Sequence, residues 1–285
     1  MYPLLINATQ LQSLRQQGTS CAVFDCSFDL MKPELAGGFF ADERIAGALP
    51  ADLEKNLSTH EAGQAVNGGR HPLPQREAVA RWLGRLGVHN GMQIVVYDRN
   101  KSQYCGRLWW MLKWLGHEAV AVLDGGLQAW KDAGGATESG TFTPPSPAAF
   151  ELKTPLRQLV LTDTIASHLG QATQTVVDAR ARARYRGEVE PLDPVAGHIP
   201  GALNRPFAEN FTEDGRFKSP ELLKAEWDRV LAGRPANSVV HHCGSGVTAV
   251  PNLIAMELAG FGPTALYAGS WSEWCNTPGL PCAKG

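Results

Sequence analysis

Val239-Val240-His241-His242-Cys243-Gly244-Ser245-Gly246-Val247-Thr248 runs from a short strand-like stretch, through a cysteine, into a glycine-rich turn. Ala249 to Ala259 follows with helical character. In this order of strand, cysteine, small loop and helix start, the loop's backbone N–H groups turn inward toward the sulfur. The helix adds the positive end of its dipole. A free thiol with a pKa of about 8.5 is mostly protonated at neutral pH, and such a setting favours the thiolate. A structural cysteine at a strand end is the alternative, but two glycines within three residues pack a core poorly. Cys243 is therefore read as a nucleophile, with the amides of Gly244, Gly246, Val247 and Thr248 facing what it binds.

The same pattern occurs earlier in the chain. Ile94-Val95-Val96-Tyr97-Asp98 matches Val239-Val240-His241-His242-Cys243, with Asp98 in the place of Cys243. Leu123-Asp124-Gly125-Gly126-Leu127-Gln128-Ala129-Trp130 matches Tyr267-Ala268-Gly269-Ser270-Trp271-Ser272-Glu273-Trp274. Val23-Phe24-Asp25-Cys26 echoes Val176-Val177-Asp178-Ala179, and Ile45-Ala46-Gly47-Ala48 echoes Ile199-Pro200-Gly201-Ala202. Four matched blocks in one order indicate two copies of one domain. Thr141-Phe142-Thr143-Pro144-Pro145-Ser146-Pro147 reads as an extended, proline-stiffened connection. The expected division is a first domain over residues 1–138, a linker over 139–157 and a second domain over 158–285.

Each half alternates short apolar strands with longer amphipathic stretches. Strands are expected at Val23–Asp25, Ile94–Tyr97 and Ala119–Leu123, then at Thr175–Asp178, Ser238–His241 and Thr264–Tyr267. Arg76 to Leu86 and Pro220 to Leu231 have helical periodicity, the second opened by Ser219-Pro220-Glu221. This alternation implies α/β domains with mostly parallel sheets flanked by helices. Sites in such folds form at the carboxyl ends of the strands, where Cys243 lies.

With 285 residues, 44% of them hydrophobic and 19% charged, the chain can bury two cores. A net charge of −2 supplies no basic field, so nucleic acid is not an expected partner. No apolar run approaches about 18 residues, and the first residues lack a cationic segment followed by an apolar one, so neither a membrane nor export is expected. The six cysteines contain no Cys-x-x-Cys pair, which removes the usual zinc spacings, and no metal is expected. Reduced thiols and a cytoplasmic location follow as expectations.

Taken together, these residues resemble the two-domain rhodanese family, the sulfurtransferases. Cys243 to Thr248 resembles the six-residue active loop of its mercaptopyruvate-using branch. Gly197-His198-Ile199-Pro200-Gly201-Ala202-Leu203-Asn204 and Gly269 to Trp274 resemble two further signatures, and Leu108-Trp109-Trp110 and Gly125 to Trp130 fit in the first half. The resemblance implies two tandem rhodanese-like domains, the second catalytic and the first without its nucleophile. It implies a Cys243 persulfide, loaded by a small-molecule donor and discharged to cyanide, a thiol or a thioredoxin-like partner, with no cofactor.

The resemblance also implies roles for other residues. The arginine matching Arg184 binds the anionic donor, as suits a guanidinium facing a carboxylate or thiosulfate. Arg180, Arg182 and Arg186 beside it are read as a solvated basic stretch. Ser245 is placed to hydrogen-bond the persulfide or to protonate a leaving enolate, or else to satisfy local backbone. His71, in Arg70-His71-Pro72-Leu73-Pro74, matches a histidine thought to face the catalytic loop, with Glu54 its acidic neighbour. A proton relay and a purely structural histidine are the two readings of that pair. His241 and His242 alternate faces, so at most one approaches the site. The tryptophans are assigned to the core.

One position departs from the mercaptopyruvate branch. A second donor-binding arginine is expected nine residues after Arg184, where Asp193 stands, as in the thiosulfate-using branch. That branch carries a basic Cys-Arg-Lys-Gly loop, whereas this loop is Cys-Gly-Ser-Gly. The loop touches the transferred sulfur, so 3-mercaptopyruvate is the expected donor and thiosulfate the alternative. A phosphatase reading fails because Ala249 occupies the place of the phosphate-clamping arginine. A non-catalytic binding module describes the first half but not the second.

Overall fold

The computed structural model describes residues 1–285, and the chain falls into two compact units. The first comprises Met1–Gln64, Pro74–Leu156 and Glu213–Arg216; the second comprises Ala65–Leu73, Arg157–Thr212 and Phe217–Gly285. Two short segments thus belong to the unit opposite to that of their neighbours in sequence, which periodicity cannot register.

The first unit contains β1 (Leu5–Ile6), α1 (Ala8–Gln16), β2 (Cys21–Asp25), α2 (Ala36–Asp42), β3 (Arg44–Ile45), β4 (Leu49–Pro50), α3 (Arg76–Arg85), β5 (Gln93–Tyr97), α4 (Cys105–Trp114), β6 (Val120–Leu123), α5 (Gly126–Asp132) and β7 (Thr137–Glu138). Its five-stranded sheet has the order β1-β6-β5-β2-β4, with every pairing parallel. The central strand β5 is buried along its whole length, as continuous apolar strands of parallel sheets are. All ten residues of α4 are buried. Its two cations are accommodated by carbonyls, Arg107 donating to Leu57 and Lys113 to Glu118.

The second unit contains β8 (Leu159–Val160), α6 (Thr162–Ser167), β9 (Thr175–Asp178), α7 (Arg182–Tyr185), β10 (Leu203–Asn204), α8 (Pro220–Leu231), β11 (Val239–His242), α9 (Val250–Leu258), β12 (Ala265–Tyr267) and α10 (Ser270–Trp274). Its sheet has the order β10-β9-β11-β12-β8, again wholly parallel. Strand for strand this repeats the first sheet, so the internal sequence repeat is a repeat of topology. The Ser219 hydroxyl caps α8 by accepting the Leu222 N–H, with Pro220 at the first helical position. Val160, Ile165, Val176, Ile199, Val240, Tyr267, Trp271 and Trp274 form its core, in keeping with an apolar role for these tryptophans.

The proline-rich stretch is not a free tether. It has no regular secondary structure between residues 139 and 158, yet it is fastened to the first unit. The Ala148 N–H donates to Gly84, Glu151 exchanges two bonds with Asn90, and the Lys153 and Leu156 N–H groups donate to Leu115 and Lys113. Extended backbone that misses a sheet must find such partners one by one.

Candidate active site

Cys243 follows β11, the middle strand of its sheet, and is only 1% exposed. The turn after it is built tightly. Gly246 lies at φ +74°, and a Cβ there would stand 2.3 Å from the Ala268 carbonyl oxygen, so no other residue fits. The Cys243 N–H donates to Ser270 Oγ at 3.1 Å, and the Ser270 hydroxyl donates to the Tyr267 carbonyl. The carbonyls of Cys243 and Gly244 accept the N–H groups of Trp271 and Ser272. The N–H groups of Ser245, Val247 and Thr248 donate to no backbone carbonyl.

Ser270 escaped the sequence reading. It holds the left-handed conformation, φ 57°, that Gly126 holds at φ 59° in the other copy. A serine accepts that backbone strain here while its hydroxyl pins the amide of Cys243. Its alignment with Gly126 in the repeat was the available signal.

In the corresponding turn of the first unit Asp98 stands where the second unit has Cys243. Its carboxylate accepts the N–H groups of Asn100, Ser102, Tyr104 and Cys105 at 2.8 to 2.9 Å. The amide cradle of that copy is filled by a side chain of its own. Burial pushes the Asp98 carboxyl above its ordinary range despite these donors.

Three guanidinium groups gather near the second loop. Arg184, on α7, donates to Glu190 Oε1 at 2.6 Å and to Asp193 Oδ2 at 3.3 Å. Arg180 is not solvated, contrary to the sequence expectation: it is 3% exposed, clasps Asp178 and the Gly197 carbonyl, and lies over the Trp271 ring. Burial works against its charge, but Asp178, Glu190 and Cys243 more than offset this and raise its pKa. Its position two residues after the buried Asp178 was the clue. Arg182 and Arg186 are about half exposed and pair with Glu209 and Glu188.

The third guanidinium belongs to Arg70, within the short segment 65–73 that packs in the second unit. The same segment brings His71, buried, to Ser245, with His71 Nδ1 2.6 Å from Ser245 Oγ. Glu54 lies in the first unit, with Oε2 3.3 Å from His60 Nε2. His242 is buried, with Nδ1 3.1 Å from the Cys243 carbonyl and Nε2 3.6 Å from Asp178. Burial lowers the His242 pKa, while the Asp178 carboxyl, against its own burial, is held below its ordinary range by His242 and by Arg180. His241 turns to the other side of the sheet, against Met256 and Trp227. All six cysteines are free, and no group of side chains is suited to hold a metal ion.

A strand-to-helix turn that carries Cys243 in one copy and Asp98 in the other, each at the end of the middle strand of a parallel sheet, defines a tandem α/β domain protein. The rhodanese-like domain family matches residues 7–133 and 161–277, and the chain belongs to that family. It is 44% identical to a protein of Pseudomonas aeruginosa described as "Probable 3-mercaptopyruvate sulfurtransferase", over 99% of this chain and 98% of that one. It is 36% identical to the thiosulfate sulfurtransferase of Bos taurus, over 96% of this chain and 92% of that one. The solved structure of 3-mercaptopyruvate sulfurtransferase from Leishmania major superposes with a TM-score of 0.83 at 30% identity, covering 97% of this chain and 76% of that one.

Proposed function

We propose that this protein is a sulfurtransferase that takes sulfur from 3-mercaptopyruvate onto Cys243 and passes it to cyanide or a thiol. The observation that carries the reading is Cys243 itself, buried at the end of the central strand beneath loop amides and guanidinium groups. The Cys243 thiolate attacks the donor sulfur, an S–S bond forms, and the carbon–sulfur bond breaks with its electron pair leaving as the enolate of pyruvate. A proton then converts the enolate to pyruvate. Ser245, hydrogen-bonded to His71, is the group placed to deliver it, and the amides of Gly244, Gly246, Val247 and Thr248 face the anionic persulfide. Arg184 binds the donor carboxylate. In the second step the acceptor attacks the outer sulfur and Cys243 leaves as thiolate, which gives ping-pong kinetics.

A dithiol protein of the thioredoxin type fits as acceptor, and a reducing compartment such as the cytoplasm suits a nucleophile that must stay a free thiol. No helix is long and apolar enough to cross a membrane. Thiosulfate is the second reading for the donor, favoured by Asp193 at a position where the mercaptopyruvate branch is expected to carry arginine. Comparing kcat/KM for the two donors, with cyanide as acceptor, decides between them. A preference for 3-mercaptopyruvate is expected; a preference for thiosulfate overturns that assignment.

A further inference from the structure

We propose that Arg70 is a second donor-binding residue, reaching the donor anion from the 65–73 segment and held in place by Asp193. This rests on the sulfurtransferase reading and names a residue of its donor site. The segment is fastened backbone-first. The Gly68 N–H donates to Glu273 Oε1 at 3.0 Å and the Arg70 N–H to Ser272 Oγ at 2.9 Å. Gly69, at φ +88°, comes so close to α10 that a Cβ would stand 2.7 Å from the Gly269 carbonyl oxygen. A chain anchored in this way delivers the Arg70 side chain over the catalytic loop.

The guanidinium geometry points to the space above Gly244. A Cβ on Gly244 would lie 3.1 Å from Arg70 Nη2 and 3.5 Å from Arg184 Nη1, so both forks converge where this glycine leaves room. Asp193 joins them from behind, accepting from Arg70 Nη1 at 2.7 Å and from Arg184 Nη2 at 3.3 Å. Arg70 Nε is buried without a partner. Around the loop, Arg70, Arg180 and Arg184 balance Asp178, Glu190 and Asp193. Without Arg70 the loop loses one of these three cations, and Asp193 keeps only the 3.3 Å bond from Arg184 to offset its charge before the incoming anion. A carboxylate thus stands at 193, where arginine is expected, and the cation paired with it comes from position 70. Two guanidinium forks suit the adjoining carboxylate and keto oxygens of an α-keto acid.

The test measures Cys243 persulfide formation by intact-protein mass and steady-state kinetics with cyanide, using 3-mercaptopyruvate, thiosulfate and mercaptoacetone, an uncharged donor with the same carbon–sulfur bond to break and no carboxylate. Arg70→Ala is expected to raise KM for 3-mercaptopyruvate on the order of 10–100-fold, the worth of one or two charge-assisted hydrogen bonds, and to lower loading from the uncharged donor far less. Arg70→Lys, which keeps the charge and stem if the alanine variant fails to fold, is expected to show a smaller rise in the same direction. The exchange Arg70→Asp with Asp193→Arg is expected to recover most of the lost affinity. Unchanged KM for 3-mercaptopyruvate in both single variants overturns the inference while leaving the sulfurtransferase reading intact. Equal losses with the uncharged donor mark a purely structural role and overturn it too. Wild-type protein that loads no sulfur from any donor overturns the sulfurtransferase reading as well.

Discussion

His71 Nδ1 lies 2.6 Å from Ser245 Oγ, a short polar link between segment 65–73 and the loop that carries Cys243. With His71 buried, that link has little competition from water, and in the proposed reaction it positions the serine hydroxyl as the proton donor. Its use depends on the leaving group. Pyruvate enolate must be protonated, whereas the sulfite released from thiosulfate is a stable anion. Ser245→Ala and His71→Asn are therefore expected to lower kcat with 3-mercaptopyruvate by about 10²-fold, within the usual range for a positioned proton donor, and to affect thiosulfate turnover far less. Equal losses with both donors contradict the proton-delivery role. At this scale the proposed roles of Cys243, Ser245 and Arg184 were legible because these residues lie in local patterns. Arg70 was not, because it reaches the loop from another part of the chain and in sequence is one more loop residue before a histidine. The pair Gly68-Gly69, which permits the close approach, was its only local trace.

The turn between β11 and α9 shows how the elements build the cradle. Strand ends and helix starts were readable to within about a residue: Ala119–Leu123 became Val120–Leu123, and Ser238–His241 became Val239–His242. What the pattern lacked was the backbone geometry of the loop between them. Gly246→Ala must place a side chain in the left-handed region and against the Ala268 carbonyl. The strain alone is about 1–3 kcal/mol. The displaced amides are expected to lower kcat/KM by about 10²-fold, the scale of a misplacement near 1 Å. Thermal melts and kinetics on the same variant check both, and a variant with wild-type activity contradicts the cradle. The paired turn in the first unit supports the same physics from the other side, since its amides already hold an anion, Asp98.

Across the whole molecule the duplication was the most legible feature, because four blocks in a common order repeat both sequence and sheet topology. The exchange of segments 65–73 and 213–216 between units was not, because nothing in local periodicity records which sheet a loop packs on. Global stability should also carry the mark of the buried histidines in β11. Burial holds both imidazoles below their ordinary range, His241 at about 3. In the unfolded chain they titrate near 6.5. As pH falls below that value the unfolded state takes up protons that the native state refuses, so stability is lost with acid. For His241 the slope approaches about 1.4 kcal/mol per pH unit down to its native pKa. His241→Leu is expected to flatten the denaturant-measured stability between pH 6 and 4 by about one proton, and an unaltered slope contradicts this.

The central claim is that Cys243 carries the sulfur, and peptide-resolved mass spectrometry after exposure to 3-mercaptopyruvate without acceptor tests it most directly. The expected result is a gain of one sulfur atom on the peptide bearing Cys243, lost on adding cyanide and absent in Cys243→Ser, which is also expected to be inactive with every donor. Sulfur on another cysteine, or full turnover by Cys243→Ser, would contradict the account.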